Sequence, residues 1–545
     1  MKQVARLVGG AGTGKTTELL GVMEAAKAAL GGSPFSIGFA SFTRAARAEA
    51  VSRASAAWEV PPEVLSKDGW FKTVHGTAHK MLKIEKGQLI DDSKASQRWV
   101  ADALRVDVRV IMDDDSGYSI YAGDTAAAGA LNCWEISRAR VEPLKETITR
   151  MARTGQSPPS FAECKQFITR YEEAKRLEER CDFSDLLARY AGIKFDTDGF
   201  YSVDPQGELP PSVKAWIFDE AQDASKLVDL VCKRLAGGPN VVWVYLAGDP
   251  FQSIFGFGGS DSTHFMGWAA DKERVMKKSW RCPKPVLELG ERCLRKMRLG
   301  YWDRGIAPAD HDGEIRHDSG PTSVVPKLDP TQPTLIIARC NYTLDDWSDV
   351  MKKRGVPFAK LKAKDDTAVL RGTRALWDLE HGTAVNGEDY ACAVAEIPTR
   401  GAGGPLMMRG AKTAWTKDAM IERWDRVFPN QIEATGMTPY LVERIKDGTW
   451  AELITGGDRW RAAALKWGAE LATRPQIRIG TIHAAKGMEA DTVCLATTTS
   501  RRVHEGQVLD PAQHDEERRV EYVGVTRARK KLILCSEPAD YRMMI

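Results

Sequence analysis

The stretch Val4–Thr17, VARLVGGAGTGKTT, decides the fold of this chain. Its apolar beginning predicts a short buried strand, and the residues after the glycines predict a helix. The loop between them fits the pattern G-x-x-x-x-G-K-[ST] at Gly9, Gly14, Lys15 and Thr16. In this pattern backbone N–H groups cradle phosphate oxygens, the lysine reaches the outer phosphates and the hydroxyl binds Mg²⁺. A glycine-rich turn with a chance lysine is the alternative. Because strand, loop and helix follow in the required order, the stretch predicts a nucleoside triphosphate site.

The composition indicates a globular protein with several domains. The chain has 545 residues, 43% of them hydrophobic, and its 77 basic and 74 acidic residues give a net charge of +3. This balance neither requires nor excludes nucleic acid, because a local basic groove disappears in the total. Ten cysteines without a C-x-x-C pair argue against a zinc site or a disulfide framework and favour a reducing cytoplasm. No run of about 18 apolar residues predicts a membrane span, and the first residues lack a signal-peptide pattern. We therefore expect a cytoplasmic protein with no membrane partner.

Apolar strands alternate with helices along much of the chain. Ala215–Phe218 is a predicted strand that delivers Asp219 and Glu220, and Asn240–Ala247 is a predicted strand that delivers Gln252. This alternation predicts parallel sheets covered on both faces, an α/β fold with two cores. Because ligands of such sheets bind at the C-terminal ends of the strands, these polar residues should belong to the nucleotide site.

Two mainly helical regions interrupt this alternation and divide the chain. The first ends in Tyr171–Arg180, a charged helix that is most simply a solvent-exposed face. The second is rich in tryptophan. We expect a first core of residues 1–82 and 181–282 with a helical insertion at 83–180, and a second core of 283–369 and 475–545 with a helical insertion at 370–474.

The residues that follow the two apolar strands suit phosphoryl transfer. Asp219 could hold Mg²⁺ directly or through water, and Glu220 could polarise the attacking water. An uncharged amide at Gln252 could contact the γ-phosphate and report its loss. The alternatives are a charge pair at a helix N-terminus for the two acids and a simple turn residue for Gln252. Phosphoryl transfer needs a metal site, a cradle and a water-orienting group together, which favours the catalytic interpretation.

A series of short motifs occurs in an order that resembles one known family, the UvrD/Rep/PcrA-type superfamily 1A helicases. The motifs extend from residue 4 to about residue 535, and the two insertions carry little of the resemblance. The later motifs are far more specific than the phosphate loop. The motifs are GGAGTGKTT, SFTRAARAEA, TVHGTAHKML, DFSDLL, DEAQD, GDPFQSIFGFGG, SWRC, LIIARCNYTLDDW, IGTIHAAKGMEADTV and EERRVEYVGVTRAR.

The resemblance implies two RecA-like P-loop NTPase cores and an ATP-dependent DNA helicase. Such a protein uses ATP and Mg²⁺ to move 3′→5′ along single-stranded DNA and to unwind duplex, and its partners are single-stranded DNA and single-strand/duplex junctions. An alternative is a DNA-stimulated ATPase that translocates or remodels protein–DNA complexes without processive unwinding. A small-molecule kinase with a phosphate loop is a third interpretation, but it explains only the first half of the motifs.

The resemblance also assigns residues to the nucleotide. Trp280 falls where the family usually has a tyrosine that stacks on adenine, and Glu489 matches an acid near the ribose. The expected catalytic residues are Glu220, Gln252, Arg281 and Arg527, the two arginines being those that reach the γ-phosphate. The expected nucleotide ligands are Gly9, Gly12, Gly14, Lys15, Thr16, Thr17, Trp280 and Glu489, and the expected Mg²⁺ ligands are Thr16 and Asp219.

Six residues are expected to contact DNA by the same resemblance. Phe42 and Phe257 fall at aromatic positions that meet bases, and base–aromatic stacking is worth about 1–3 kcal/mol per base. Core packing is the alternative for both phenylalanines, and a lone histidine is more often structural. The remaining candidates are Thr43, Arg44, His75 and His483.

The chain departs from the family pattern in two places. Only eight residues precede Gly9, so the usual segment with an adenine-reading glutamine is not seen, and relaxed base preference is expected. Phe257 stands where the family has tryptophan, and Gly258 stands where it has arginine. One positive contact, either with DNA or in the coupling of DNA to ATP, is therefore expected to be lost.

Overall fold

The computed structural model describes residues 2–42, 44–85, 87–112, 119–361, 363 and 367–545, with the backbone alone at residues 44, 45, 418 and 419. Contacts divide the chain into two compact units, described separately below. Unit 1 is Met1–Glu314, Thr499–Thr526 and Asp540–Ile545, and unit 2 is Ile315–Thr498 and Arg527–Ala539. Residues 283–314 and 499–526, assigned above to the second core, thus make their contacts in unit 1. The division into two cores and two insertions stays a prediction.

The described residues form strands and helices with the following bounds. The strands are β1 (Gln3–Gly9), β2 (Ile37–Ser41), β3 (Trp70–Thr73), β4 (Val108–Met112), β5 (Ser119–Gly123), β6 (Ile193–Asp196), β7 (Gly199–Ser202), β8 (Ala215–Asp219), β9 (Trp243–Gly248), β10 (Lys272–Met276), β11 (Glu314–Asp318), β12 (Thr334–Ala338), β13 (Ala359–Lys360), β14 (Val385–Asn386), β15 (Arg400–Gly401), β16 (Gly404–Pro405), β17 (Arg426–Val427), β18 (Ile477–Thr481), β19 (Ala490–Ala496) and β20 (Ala528–Cys535).

The α-helices are α1 (Lys15–Ala29), α2 (Arg44–Trp58), α3 (Val74–Leu82), α4 (Lys94–Leu104), α5 (Thr125–Arg140), α6 (Leu144–Arg153), α7 (Phe161–Leu177), α8 (Phe183–Ala191), α9 (Lys226–Ala236), α10 (Ser262–Met266), α11 (Lys284–Arg295), α12 (Pro321–Val324), α13 (Thr343–Arg354), α14 (Ala368–Glu380), α15 (Gly387–Glu396), α16 (Ala411–Ala414), α17 (Asp418–Arg423), α18 (Pro439–Lys446), α19 (Gly457–Trp467), α20 (Ala469–Thr473), α21 (Arg501–Leu509) and α22 (Pro511–Val525). Among the described residues, none of these helices combines the length and the apolar character that crossing a membrane requires.

A six-stranded sheet in unit 1 positions the phosphate loop. Its strand order is β10-β1-β9-β8-β2-β3, and every neighbouring pair is parallel. In the centre, Val8 of β1 lies opposite Gly248 of β9. Because all six strands run the same way, their C-terminal ends share one edge of the sheet. The predicted parallel sheet is confirmed.

Strand β8 shows why this sheet is buried on both faces. All five residues of the strand, AWIFD, are buried, and side chains alternate between the two faces with a period of two. Trp216 and Phe218 pack in one core cluster with Leu227 of α9. Ile217 packs in a second cluster with Leu19 of α1. An almost continuous apolar run is therefore required here, as in other parallel sheets covered by helices.

Unit 2 contains a second sheet of the same kind. The strand order is β11-β20-β19-β12-β18-β13, and the pairs from β20 to β13 are parallel. Its core includes Ile336 of β12 and the fully buried Trp347 of α13. The two α/β sheets predicted from the alternating pattern are both present.

Two hairpins differ from the sequence prediction. Strands β4 and β5 pair antiparallel within the stretch expected to be mainly helical. Val108, Val110 and Tyr121 on these strands are buried in one cluster with the neighbouring helices, so one face of the hairpin supplies core. The second hairpin pairs β6 with β7 antiparallel, within the part of the chain where the alternating pattern predicted parallel strands.

One charged residue near the end of α7, Lys175, is buried, which corrects the expectation of a solvent-exposed face at this position, whereas Glu173 and Arg176 are exposed as expected. Lys175 is only 3% exposed, and its Nζ donates to Asp182 Oδ2 over 2.9 Å. The Arg138 guanidinium donates to both oxygens of the same carboxylate, at 3.1 and 2.9 Å. Buried charges persist when they are paired and hydrogen-bonded, so this network replaces water for the charge of Lys175.

Candidate nucleotide and nucleic-acid sites

Three adjacent strands of the first sheet end in the predicted nucleotide residues. β1 lies beside β9, and β9 lies beside β8. The phosphate loop follows β1, Asp219 is the last residue of β8, and Asp249 comes directly after β9. All three therefore lie at the same edge of the sheet, which is the edge where ligands of parallel α/β sheets bind.

The phosphate loop is closed by contacts of its own residues. Lys15 Nζ donates to the Gly9 carbonyl over 2.9 Å, and the Thr13 hydroxyl donates to the Gly10 carbonyl over 3.0 Å. Gly12 has φ +67°, and a side chain there would collide with Cβ of Arg281. Only glycine meets both conditions. The lysine ammonium is thus held over the loop in which phosphate is expected.

The helix that follows the loop offers donors to an anion. α1 starts at Lys15 and runs for 15 residues, and within the described residues no side chain caps its N-terminus at Gly14. The first N–H groups of a helix have no partner inside the helix, and the helix dipole adds positive potential at this end. Thr16 and Thr17 lie in this first turn, half-buried and exposed respectively. Loop and helix together fit a phosphate group.

Asp219 and Glu220 form a compact acidic pair. Asp219 is only 4% exposed, and its Oδ1 accepts the N–H of Glu220 over 2.9 Å. Burial, and then the neighbouring Glu220, raise the pKa of Asp219 to about 7, while the Lys15 ammonium acts in the opposite direction. Glu220 has φ 54°, an uncommon conformation for a residue other than glycine. A buried carboxylate with a threonine hydroxyl supplies the hard oxygen ligands that Mg²⁺ prefers, so this donor set fits the ion.

A chain of hydrogen bonds joins Glu220 to Gln252. Gln222 Nε2 donates to Glu220 Oε2 over 2.6 Å, and Gln222 Oε1 accepts the N–H of Asp249 over 3.0 Å. Asp249 Oδ2 accepts from Gln252 Nε2 over 2.8 Å. Gln222 and Asp249 are both fully buried, so the chain is shielded from water. Gln252 is therefore linked to the acidic pair through buried polar groups.

Trp280 and Arg281 lie beside the phosphate loop within unit 1. The N–H of Trp280 donates to the Gly12 carbonyl over 2.8 Å, and the Ser279 hydroxyl donates to the Ala11 carbonyl over 2.8 Å. The Trp280 side chain is 67% exposed. An exposed aromatic ring fixed by its backbone next to a phosphate cradle is suited to stack on a base.

Two buried residues that the sequence did not single out support the phosphate loop and the neighbouring Asp249. The Tyr522 hydroxyl accepts the N–H of Ala11 over 3.0 Å and lies 3.5 Å from Asp249 Oδ2. Arg304 Nη1 donates to Asp249 Oδ1 over 2.6 Å, and its Nη2 donates to Glu291 over 2.7 Å. Tyr522 lies inside the quoted motif EERRVEYVGVTRAR, so a buried hydroxyl could have been suspected there. Arg304 belongs to no quoted motif, and no sequence pattern points to it.

The predicted DNA contacts in unit 1 differ in exposure. Phe257 is 49% exposed, whereas Phe42 is half-buried and packs against a core cluster that includes Trp70. His75 is half-buried with its ring edge-on to Phe183 at 5.9 Å, and burial lowers its pKa to about 4. His75 is therefore neutral at pH 7. Thr43 and the side chain of Arg44 lie outside the described residues.

The remaining candidates lie in unit 2. Arg527 is 1% exposed, and its Nη1 donates to the Met488 carbonyl over 3.1 Å. Its carbonyl accepts the N–H of Ala490 over 3.1 Å, which places it beside Glu489. Glu489 pairs with Arg529 at 3.3 Å. His483 follows β18 and is half-buried. The roles of these residues stay predictions.

The fold and this site define a P-loop nucleotide-binding protein of the α/β class. Comparison with known families specifies it further. The UvrD/REP helicase N-terminal domain matches residues 1–273, which is half of the chain, and the UvrD-like helicase C-terminal domain matches residues 461–537. The chain belongs to the UvrD/Rep helicase family.

Individual relatives agree with this family. The chain is 23% identical over 425 residues to the ATP-dependent DNA helicase UvrD2 of Mycobacterium bovis, and equally to that of Mycobacterium tuberculosis, with 72% of this chain and 57% of each relative covered. It is 36% identical to the ATP-dependent DNA helicase Rep of Escherichia coli over 72 residues, 13% of this chain and 11% of that protein. The chain thus spans little more than half the length of the UvrD2 relatives.

Proposed function

We propose that this protein is an ATP-dependent DNA helicase that moves 3′→5′ along single-stranded DNA and unwinds duplex at single-strand/duplex junctions. One observation carries the nucleotide part of the proposal. The phosphate loop, the acidic pair at Asp219 and the Asp249–Gln252 pair follow three adjacent strands of one parallel sheet. γ-Phosphoryl transfer needs a cradle, a metal site and a group that senses the phosphate, and this sheet edge supports all three.

The described contacts support a specific division of labour at the nucleotide. Lys15 and the first turn of α1 bind the phosphates, and Thr16 with Asp219 holds the metal ion. Mg²⁺, when bound, neutralises charge on the phosphate oxygens. Glu220 orients the attacking water and takes up its proton. The buried hydrogen bonds through Gln222 and Asp249 hold Gln252 in a fixed position relative to Glu220.

Three further residues are proposed to complete the nucleotide site. Trp280, exposed beside the loop, stacks on the base. Arg281 and Arg527 stabilise the negative charge that spreads over the transferred phosphoryl group. The role of Arg527, like that of Glu489 near the ribose, rests on the family resemblance.

DNA as the substrate is supported by the family and by the names of its relatives. Phe257, half-exposed, stacks on bases of the single strand, and this contact tolerates any sequence because every base has an aromatic face. Phe42, His75 and His483 are proposed as weaker contacts, together with Thr43 and Arg44. Since His75 is neutral at pH 7, it would act through hydrogen bonding or stacking rather than charge.

ATP hydrolysis by the purified full chain, with and without single-stranded oligo(dT), tests this proposal. We expect hydrolysis with Mg²⁺ that rises at least about tenfold with DNA. Lys15→Ala should lower the rate at least about hundredfold, because the outer phosphates lose their cation, equivalent to about 2.7 kcal/mol or more. Lys94→Ala, a change of an exposed lysine on α4, is the matched control and should keep the normal rate. A rate that does not respond to DNA would contradict the proposed motor.

A further inference from the structure

Side chains from two different helices hydrogen-bond the turn that carries Phe257. The residues Gly256–Gly258 form one 3-10 turn, and the ring of Phe257 packs edge-on against the buried Phe255 at 6.1 Å. The N–H of Gly256 donates to Glu516 Oε1 over 2.9 Å. The carbonyl of the same residue accepts from Arg140 Nη2 over 2.9 Å. Both hydrogen-bonding groups of Gly256 are thus held by ionisable side chains.

Close packing accompanies these two hydrogen bonds. A Cβ at Gly256 would lie 2.5 Å from Glu516 Oε2, so the glutamate sits directly against the turn. Arg140 and Glu516 are both half-buried. Hydrogen bonds of charged groups are shorter and stronger than neutral ones, and partial burial reduces competition from water. We name Arg140 and Glu516 the Gly256 clamp.

One side of the clamp belongs to the helix that touches the phosphate loop. Glu516, Arg519 and Tyr522 follow each other at intervals of three residues on α22, so they share one face of the helix. Arg519 Nε donates to the Ser253 carbonyl over 2.8 Å, and the Tyr522 hydroxyl accepts from Ala11. With a rise of about 1.5 Å per residue, the first and last of these contacts lie about 9 Å apart along the helix.

The other side of the clamp is anchored in the helical region that follows residue 83. Arg140 is the last residue of α5. Two residues earlier, Arg138 is 1% exposed and pairs with Asp182 at 2.9 Å. Because α5 is fixed by that buried network, the Arg140 guanidinium reaches the turn from a rigid support.

We propose that Arg140 and Glu516 are positioning residues that set the place of Phe257 on the DNA strand. This inference rests on the proposed function, in which Phe257 stacks on a base. The clamp joins the turn to α5 on one side and, through α22, to the phosphate loop on the other. Without Arg140 the Gly256 carbonyl is left with the N–H of Gly259 in its own turn, and without Glu516 the Gly256 N–H loses its acceptor. In either case the adjoining aromatic ring is held less firmly in place.

A double-mutant cycle tests the clamp. The affinity of the full chain for fluorescein-labelled dT20 is measured by anisotropy at fixed salt, and the half-saturating dT20 concentration and maximal rate are measured by ATP hydrolysis. We expect Phe257→Ala and Arg140→Ala each to weaken binding about tenfold, about 1.4 kcal/mol. The double variant should also be about tenfold weaker, because Arg140 acts through Phe257. The half-saturating concentration should rise while the maximal rate changes less than about twofold.

Further variants separate positioning from a merely structural role. Arg140→Lys keeps a cationic donor and should recover binding to within about threefold of the wild type. Arg176→Ala, a change of an exposed arginine on α7, is the matched control and should bind normally. Should Arg140→Ala fail to fold, Glu516→Gln takes its place in the cycle. It should weaken binding about threefold to fivefold, with no further loss on the Phe257→Ala background.

Two outcomes would overturn the inference in different ways. Additive effects, with the double variant binding about a hundredfold more weakly, would show that Arg140 acts independently of Phe257. This result would refute the positioning role of the clamp and would leave the proposed function intact. A normal affinity of Phe257→Ala for dT20 would refute the proposed stacking of Phe257 on a base, and with it the positioning role of the clamp. In that case the proposed function is still tested separately, by whether DNA stimulates ATP hydrolysis.

Discussion

The hydroxyl of Tyr522 accepts a hydrogen bond of 3.0 Å from the backbone N–H of Ala11, inside the phosphate loop. The two residues are 511 positions apart in the chain, and both are buried. The loop that binds phosphate in this family is therefore supported in unit 1 by α22, near the other end of the sequence.

Removing that hydroxyl should loosen the phosphate loop. In Tyr522→Phe the ring remains but the buried N–H of Ala11 loses its acceptor, and an unsatisfied buried donor costs about 1–3 kcal/mol. We expect the KM for ATP to rise about threefold to tenfold and the urea midpoint of unfolding to fall. Tyr201→Phe, at a 46% exposed position on β7, is the control and should change neither quantity. A Tyr522→Phe protein with normal KM and midpoint would show that the hydrogen bond is dispensable.

The ion pair between Arg304 and Asp249 should be a major determinant of stability. Both side chains are fully buried, and although burial opposes the charge, Asp249 raises the pKa of Arg304 above its usual value. Arg304→Leu leaves a buried carboxylate without its cation, which costs about 3–5 kcal/mol. Urea unfolding followed by circular dichroism measures this loss.

A matched exposed pair controls for the Arg304 experiment. Lys165 and Asp198 lie 3.1 Å apart in unit 1, with side chains 47% and 71% exposed. Lys165→Ala should cost at most about 1 kcal/mol, because exposed ion pairs contribute little. If both variants lose the same small amount, the buried pair does not stabilise the sheet edge as described.

His75 should make stability fall in mild acid. Burial lowers its pKa from 6.5 to about 4, so the unfolded chain binds a proton at a pH where the folded ring does not. The contribution to stability is present above pH 6.5 and is lost as the pH falls towards 4. By linkage, the wild type should lose about 2 kcal/mol more than His75→Gln between pH 7.5 and 5. Denaturant unfolding at both pH values measures this difference, and equal losses for the two proteins would contradict it.

The strands of the two sheets could be predicted from the sequence, because the apolar pattern of a strand depends only on residues that are neighbours in the chain. The strand expected from the apolar beginning of the opening stretch is β1, and Ala215–Phe218 is extended by one residue in β8. Asn240–Ala247 was expected as one strand, but β9 begins only at Trp243. The N–H groups of Val242 and Trp243 both donate to the Lys214 carbonyl, just before β8.

Contacts between segments that are distant in the chain could not be predicted from the sequence. Lys175 lies in a charged stretch of α7, which gave no sign that this residue is buried. Its burial depends on partners in α5 and at Asp182. Likewise, the composition around Arg304 resembles an ordinary polar loop, and only the folded chain brings it to Asp249. A sequence shows which residue types are present, whereas the pairing of buried charges is decided by the packing of whole elements.

Strand displacement on tailed duplexes tests the central claim most directly. The full chain is mixed with Mg²⁺, ATP and a fluorescent duplex that carries a single-stranded 3′ tail, a 5′ tail or blunt ends, and release of the labelled strand is followed. We predict release from the 3′-tailed duplex only, lost in Lys15→Ala. Release from the 5′ tail alone, or hydrolysis stimulated by DNA without any strand release, would contradict a 3′→5′ helicase.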